Sequence, residues 1–234
     1  MGTSPEQPSS LRADALSHLP DVFFSPVGSM VKLICIIVFR HEGKGERALK
    51  LAQVDDMSPF GYFSRGKARE FVYFGSRTTC ERTPKGERVS VGCGYEDYIA
   101  HSLVRSDGLA AVCVTDEEYP QDMAYQLLYL VCKDLNSKLG DKWKTVTKES
   151  KKPVSPPFME KYLKEYKDPK KMDKLGKVQE EVSELKLQLK DNLTLLLDRG
   201  EQLDDLVYKT EDLSEIAKEF YAQSKKHNQC CKSW

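Results

Sequence analysis

The sequence lacks the features that mark several large classes of protein. Its longest apolar run, Leu33 to Phe39, is far shorter than the ~20 residues that a membrane-spanning helix needs. Lysine plus arginine and aspartate plus glutamate number 36 each and do not cluster, so no net field points to nucleic acid or to an acidic substrate. There is no Cys-x-x-Cys pair, and the four histidines lack the spacing of metal ligands. We therefore expect neither a nucleic acid partner nor a metal.

Candidates for catalysis and for secretion are also missing. The pattern suggests no Ser/His/Asp or Cys/His set, so we expect a protein that is not an enzyme and takes no cofactor or small-molecule substrate. The first residues show no basic stretch followed by an apolar core, which predicts a cytosolic protein. Most of the seven cysteines are then expected to be thiols, and Cys35, Cys113 and Cys132 lie in apolar runs where a thiol acts as a small hydrophobe.

Residues 1–29 are rich in serine and proline without any period, and they predict a disordered leader. Residues 30–140 carry patterns of a folded domain. Strands are predicted where apolar residues run together or alternate, and helices where they recur every three to four positions: strands at 33–39, 47–54, 89–93, 97–105 and 109–115, helices at 60–82 and 120–140. This order predicts an α+β domain with a five-stranded antiparallel sheet and flanking helices.

One face of the first predicted helix is aromatic. Phe63, Lys67, Phe71, Phe74 and Thr78 follow one another at helical spacing. The simplest interpretation is that these rings belong to the core. The alternative is that part of the face, with Phe74 as the candidate, receives another segment or a lipid.

Residues 141–170 predict a linker. The stretch 148–157 (KESKKPVSPP) has three prolines and three lysines, and the charged stretch after it runs to Pro169. Proline-rich charged segments of this kind are semi-extended and flexible.

Residues 171–229 carry a heptad stripe typical of a coiled-coil helix. Of sixteen seam positions from 175 to 227, eleven are apolar, against nine of the thirty-seven positions between them. The seam from its start to the last aromatic residue is Leu175, Val178, Val182, Leu185, Leu189, Asn192, Leu196, Arg199, Leu203, Leu206, Thr210, Leu213, Ala217 and Phe220. A continuous helix from about 172 to 228 would be ~85 Å long, and no small domain could bury it. The stripe predicts partner helices.

Arg199 stands in that seam. A guanidinium in a helical interface is costly to desolvate, so partner helices must supply several hydrogen-bond acceptors. The seam alone leaves two possibilities evenly open, a register device in a homodimer and a polar layer in a heterotypic bundle.

Two stretches and a cysteine pair resemble the longin R-SNAREs, closest to the lipid-anchored members that have no transmembrane segment. They are LVRSDGLAAVCVTDEEYP (103–120), LLLDRGEQLDDLVYKTEDL (195–213) and Cys230-Cys231. The resemblance implies a longin (profilin-like) domain over 30–140 and an R-SNARE motif over 171–229. It also implies that Arg199 is the zero-layer residue, facing a glutamine from each of three Q-SNARE helices in a four-helix bundle.

The resemblance further implies a role in vesicle docking and membrane fusion, in secretory, endosomal or vacuolar transport. It places the protein in the cytosol and on the cytoplasmic face of Golgi, endoplasmic reticulum, endosomal or vacuolar membranes, with the longin domain regulating by fold-back. The alternative is a longin-type scaffold subunit of a coat or tethering complex, against which Arg199 and the C-terminal rod argue. A lipid-transferring enzyme with Cys230 or Cys231 as acyl carrier is a further rival, disfavoured because no general base lies nearby.

Residues 230–234 form the expected lipid-anchor tail. In the family the second cysteine begins a prenylation box with aliphatic middle residues, whereas here Cys231 is followed by Lys232, Ser233 and Trp234. Prenylation by a tolerant enzyme, palmitate on Cys230 and Cys231, and an unlipidated terminus all stay open. Because one lipid chain anchors weakly and two hold firmly, the cysteine pair favours a covalent lipid and binding to a membrane surface.

Overall fold

A computed structural model describes residues 33–43, 46–93, 98–149, 154–167, 185–219 and 221–222. Three sets of predictions lie outside these residues: the leader over 1–29, the seam positions Leu175, Val178, Val182 and Phe220, and the cysteine tail with Cys230 and Cys231.

The centre of the molecule is a six-stranded sheet in the order β2-β1-β5-β4-β3-β6. Its strands are β1 (Leu33–Arg40), β2 (Leu49–Asp55), β3 (Glu87–Gly92), β4 (Tyr98–Val104), β5 (Leu109–Asp116) and β6 (Lys186–Lys190). The first five pair antiparallel and correspond to the five predicted strands. The sixth strand was not predicted, and it runs parallel to β3.

The described residues include four α-helices that we label α1 (Arg65–Arg82), α2 (Gln121–Leu139), α3 (Pro157–Glu165) and α4 (Leu203–Lys209). Short 3₁₀ helices cover Gly140–Thr145 and Leu193–Leu196, and residues 215–219 are again helical. Helix α1 begins five residues later than the pattern predicts, because Phe60 and Gly61 take part in turns. The Phe60 N–H donates to Met57 O at 3.1 Å, and the Ser64 N–H donates to Gly61 O at 2.8 Å.

Each face of the sheet buries its own core. In β1, Ile34, Ile37 and Phe39 belong to the core under α1, whereas Ile36 and Val38 belong to the core under α2 and α3. Alternate side chains of a strand point to opposite faces, so a strand covered on both faces has to be apolar throughout. This explains the uninterrupted apolar run LICIIVF over residues 33–39.

The described parts of 141–170 are packed, in contrast to the flexible linker that we predicted. Trp143, Met159 and Tyr166 are fully buried on the α2 side of the sheet. The Trp143 Nε1–H donates to Asn136 Oδ1 at 3.0 Å, and the Tyr119 hydroxyl donates to Tyr166 O at 2.9 Å. The free energy gained by burying these apolar side chains exceeds the local preference of a proline- and lysine-rich stretch for an extended conformation. One of the prolines, Pro157, occupies the first turn of α3, where its missing N–H costs nothing.

The continuous coiled-coil helix predicted over 171–229 is also absent from the described part of that range. Residues 185–219, 221 and 222 instead form strand β6, a 3₁₀ helix, the seven-residue helix α4 and further helical residues at 215–219 and 221–222. Gly200 interrupts the run with a backbone φ of 92°, a left-handed conformation that favours glycine. An amphipathic helix without partner helices leaves its seam in water, so the segment adopts the conformations that bury its apolar residues on the domain.

Candidate functional site

The candidate site is the surface on which residues 185–219, 221 and 222, from here on the C-terminal segment, lie against α1 and β3. The first part of this contact is a strand addition. Backbone pairing runs from Glu87 and Lys186 to Val91 and Lys190. The Arg88 Nε–H donates to Leu185 O at 3.1 Å. An edge strand offers a row of unpaired N–H and C=O groups, and β6 satisfies them along the length of β3.

Gly92 allows the close approach at the end of this pairing. A Cβ atom placed on Gly92 would fall well inside van der Waals contact with the carbonyl oxygen of Asp191. That neighbour is backbone, which cannot swing aside as a flexible side chain can. The path of the C-terminal segment past β3 therefore requires glycine at this position.

The apolar part of the contact lies on α1. Six side chains of the C-terminal segment are buried in the same core cluster as Phe74, which is 5% exposed: Leu193, Leu203, Val207, Leu213, Ala217 and Tyr221. The rings of Phe71 and Tyr221 lie 6.5 Å apart. The Tyr221 hydroxyl donates to Asp204 Oδ1 at 2.7 Å, and burial together with this carboxylate raises the pKa of Tyr221. Phe74 thus contributes to a core that the domain and the C-terminal segment build together.

The predicted seam residues are used unequally in this arrangement. Leu203, Leu213 and Ala217 are buried, whereas Leu189 is 63% exposed. Apart from the exposed Arg199, the other described seam residues are half-buried: Leu185, Asn192, Leu196, Leu206 and Thr210.

A buried ion-pair cluster lies beside the apolar contact. Arg77 donates from Nη1 to Asp212 Oδ1 at 2.6 Å, and Arg47 reaches the same oxygen from Nη2 at 2.9 Å. Arg77 also contacts Glu149 and the Tyr73 hydroxyl. Arg77 and the Asp212 carboxylate are both almost completely buried, so solvent screens their attraction weakly. Separating them would leave a buried charge partly uncompensated.

Two further polar contacts fix the C-terminal segment near the ends of α1. Glu70 Oε2 accepts a hydrogen bond from the Ser214 N–H at 2.8 Å, and Arg82 Nη2 contacts the Glu201 carboxylate at 2.8 and 3.0 Å. From position 70 to position 82 the helix extends about 18 Å. Contacts at both ends and at Arg77 in between therefore hold the C-terminal segment along most of the helix.

Arg199 is not drawn into this site. Its side chain is exposed, and it stands beside Gly200 between the 3₁₀ helix and α4. The predicted zero-layer residue is therefore open to solvent while apolar seam neighbours such as Leu203 are buried.

Three important residues of the site escaped the sequence reasoning: Gly92, Arg77 and Asp212. Arg77 follows Phe74 by three positions, so helical spacing was a usable signal that it shares the same face. Asp212 stands between the seam positions Thr210 and Leu213, where nothing in the sequence distinguishes it from a solvated charge. The need for glycine at position 92 arises only once another chain segment passes it.

A second polar cluster lies inside the domain, between the sheet and α2. Ser90 Oγ lies 2.7 Å from His101 Nδ1 and 2.7 Å from the Tyr125 hydroxyl, and it accepts a hydrogen bond from Gln121 Nε2 at 2.7 Å. His101 Nε2 lies 3.1 Å from Thr115 Oγ1. Desolvation lowers the pKa of His101 to about 4. Because Ser90 and His101 are both buried, their contact satisfies polar groups of the core and offers no access to a substrate.

Two further features are absent from the part of the chain that the structure describes. No helix there combines the length and apolar character needed to span a membrane. Over the same residues, no three His, Cys, Asp or Glu side chains come together in a way that could hold a metal ion.

Comparison with known proteins gives two family matches. One covers most of the domain and the other covers the C-terminal segment. Residues 57–163 match the longin, or regulated-SNARE-like, domain, and residues 174–234 match synaptobrevin. The chain is 39% identical over 202 residues to the "Synaptobrevin homolog YKT6" of Saccharomyces cerevisiae, covering 86% of this chain and 98% of that protein. It is 37% identical over 201 residues to the "VAMP-like protein YKT61" of Arabidopsis thaliana, with the same coverage.

Proposed function

The chain belongs to the longin-domain, synaptobrevin-like SNARE proteins of vesicle trafficking, and we propose that it is an R-SNARE whose own longin domain stores the SNARE motif until partner helices take it up. In this proposal the motif pairs with three Q-SNARE helices in a four-helix bundle and so docks and fuses vesicles. SNAREs are trafficking proteins without a catalytic role, so the activity to be explained is assembly.

The observation that carries the proposal is that side chains of the predicted coiled-coil seam are also buried against the longin domain. Leu203, Leu213 and Ala217 are seam positions of the heptad stripe, and the same three side chains are buried on the longin domain. A side chain cannot fill both interfaces at once. Docking on α1 and zippering with Q-SNARE helices therefore exclude each other, which is the basis of regulation by fold-back.

Arg199 has the role of the zero-layer residue in this proposal. In the docked form its guanidinium is exposed to water, so no desolvation cost arises. In the bundle its five donors would meet the side-chain carbonyl of one glutamine from each partner helix. The guanidinium is thus buried only when the glutamine acceptors of the partner helices are present.

The membrane attachment in the proposal is a covalent lipid on Cys230, Cys231 or both. The adjacent cysteines are the candidate anchor, because two lipid chains on neighbouring residues would hold the protein to a bilayer firmly. Lipidation and release of the docked segment would then determine how the protein divides between the cytosol and membranes. The membranes in the proposal are the cytoplasmic faces of secretory and endosomal or vacuolar compartments.

Gly92→Ala tests the fold-back directly, because it acts at the docking site without altering the SNARE motif. The added methyl group would collide with the Asp191 backbone, so we expect the docked form to be lost while the longin domain stays folded. Assembly with a soluble set of three Q-SNARE helices should then be about tenfold faster, which corresponds to about 1.4 kcal/mol. The rate can be followed by the gain in helical circular dichroism.

Gly75→Ala is the matched control, since nothing lies within 4 Å of a Cβ at that position of α1. Hydrogen exchange over residues 185–222 should increase in Gly92→Ala and stay at the wild-type level in Gly75→Ala. A folded Gly92→Ala protein with unchanged exchange and unchanged assembly would contradict regulation by fold-back.

The rival function, a longin-type scaffold subunit of a coat or tethering complex, makes a different prediction. A scaffold would keep residues 185–222 on the domain in the presence of Q-SNARE helices. Persistence of protected amides in β6 after such mixing would favour the scaffold.

A further inference from the structure

The most exposed aromatic side chains of the described residues form a pair in the turn before α1. Phe63 is 93% exposed and Tyr62 is 78% exposed, and their ring centroids lie 5.4 Å apart in an edge-to-face arrangement. A side chain that exposed has almost no surface against its own protein. The pair therefore projects from the domain, and it takes no part in the docked contact of the C-terminal segment.

The turn that carries the pair is well fixed. Phe60 is buried, and its carbonyl accepts a hydrogen bond from Arg65 Nε at 3.1 Å. The N–H groups of Ser64 and Arg65 both donate to Gly61 O, at 2.8 and 3.1 Å. Two apolar rings held outward by a hydrogen-bonded turn are preorganised for binding, because little backbone freedom is lost when they engage.

Two basic side chains, Arg65 and Lys67, follow the pair directly. No aspartate or glutamate lies between Met57 and Arg69, and the Arg69 guanidinium is itself paired with the Asp55 carboxylate at 2.9 Å. The Arg65 guanidinium carbon lies 5.9 Å from the centre of the Tyr62 ring. Projecting aromatic rings beside basic side chains match the two layers of an anionic bilayer surface, where rings enter the interfacial region and cations meet lipid headgroups.

We propose that Tyr62 and Phe63, with Arg65 and Lys67 behind them, form a second membrane contact that seats the longin domain on an anionic bilayer. The contact is independent of the cysteine tail and of release of the C-terminal segment, since the pair is exposed while that segment is docked. It is weak by itself and adds to the lipid anchor, and it fixes which side of the domain faces the membrane.

The test uses the full chain carrying Cys230→Ser and Cys231→Ser, so that no lipid anchor contributes. Binding is measured by cosedimentation with phosphatidylcholine vesicles that contain about 30% phosphatidylserine, at low and at physiological salt. Removing both rings with Tyr62→Ser and Phe63→Ser should weaken binding by about tenfold or more, because each ring contributes apolar transfer into the interface. Arg65→Gln with Lys67→Gln should weaken binding to anionic vesicles and abolish most of its salt dependence.

Two controls keep the result interpretable. Leu139→Ser with Val154→Ser removes partly exposed apolar side chains elsewhere and should leave binding unchanged. Phe63→Trp should bind at least as well as the parent, since tryptophan suits the bilayer interface.

The inference is overturned if the parent protein does not bind anionic vesicles, or if the serine variant binds as the parent does. Equal binding of the parent to neutral and anionic vesicles would overturn the part assigned to Arg65 and Lys67. None of these results depends on Q-SNARE assembly, so failure here and failure of the proposed function are distinguishable.

Discussion

Single buried groups set how the stability of the longin domain responds to pH. His101 has a pKa of about 4 in place of its ordinary 6.5, because burial disfavours its charged form. Above pH 6.5 the ring is neutral in the folded and unfolded chains alike, and its contribution to stability is fully present. As the pH falls from 6.5 toward 4, the unfolded chain takes up the proton first, so the free energy of unfolding declines.

The expected effect of His101 is a loss of stability on the order of 3 kcal/mol between pH 6.5 and pH 4. Urea unfolding at several pH values across this window should show it as a slope. His101→Asn should make that slope shallower, whereas the part due to His41, whose pKa burial also lowers, should remain. Identical slopes for the variant and the wild type would show that folding does not lower the pKa of His101.

At the scale of secondary-structure elements, the docked segment consists of pieces that are too short to persist alone. Helix α4 has seven residues and β6 has five. Isolated helices of this length are unstable in water, and a lone strand has nothing to pair with. The pieces are therefore stabilised by their contacts with α1 and β3, and loss of one strong contact should loosen the others.

Asp212→Asn tests this coupling and separates docking from assembly. Asp212 lies off the heptad seam, so the bundle should be unaffected, but Arg77 and Arg47 lose the carboxylate between them. We expect the docked form to lose about 3 kcal/mol, which shifts the equilibrium toward release by roughly 100-fold. Hydrogen exchange should rise in β6 as well as around position 212.

The control for Asp212→Asn is Asp205→Asn, an exposed carboxylate of the same segment. It should leave exchange and assembly rates as they are. If exchange in the Asp212→Asn protein increased only next to position 212, β6 and the helical part of the C-terminal segment would dock independently.

At the scale of the whole molecule, the proposed function gives one sequence two mutually exclusive interfaces. Arg199 distinguishes them, because it is exposed in the docked form and would be buried in the bundle. Arg199→Leu should therefore leave the docked form unchanged within about 0.5 kcal/mol, as is usual for exposed positions.

The same substitution should give a bundle with Q-SNARE helices at least as stable as the wild type, since a buried cation is often no better than a well-packed hydrophobe. Thermal melting of the assembled bundle measures this, and competition between Q-SNARE sets should show weaker discrimination. A variant that no longer binds any Q-SNARE set would contradict the assignment of Arg199 to the seam.

The sequence by itself determined the parts of this protein that depend on local pattern. Alternating and continuous apolar runs located the five strands of the domain, and the apolar stripe from Met123 to Leu135 located α2. The stretches 103–120 and 195–213, together with Cys230-Cys231, indicated the family through their resemblance to it. The heptad stripe predicted partner helices for the C-terminal segment, because such an apolar seam is not stable in water.

Only the tertiary structure decided which surface that is. Leu185, Leu187 and Leu189 alternate with polar residues, as in a strand, while Leu185 and Leu189 also fall at heptad positions. The local pattern is therefore compatible with both conformations, and the unpaired edge of β3 selects the strand by satisfying its backbone. The packing of Trp143, Met159 and Tyr166 has the same origin. Their burial depends on apolar surface supplied by distant parts of the chain, which composition alone does not reveal.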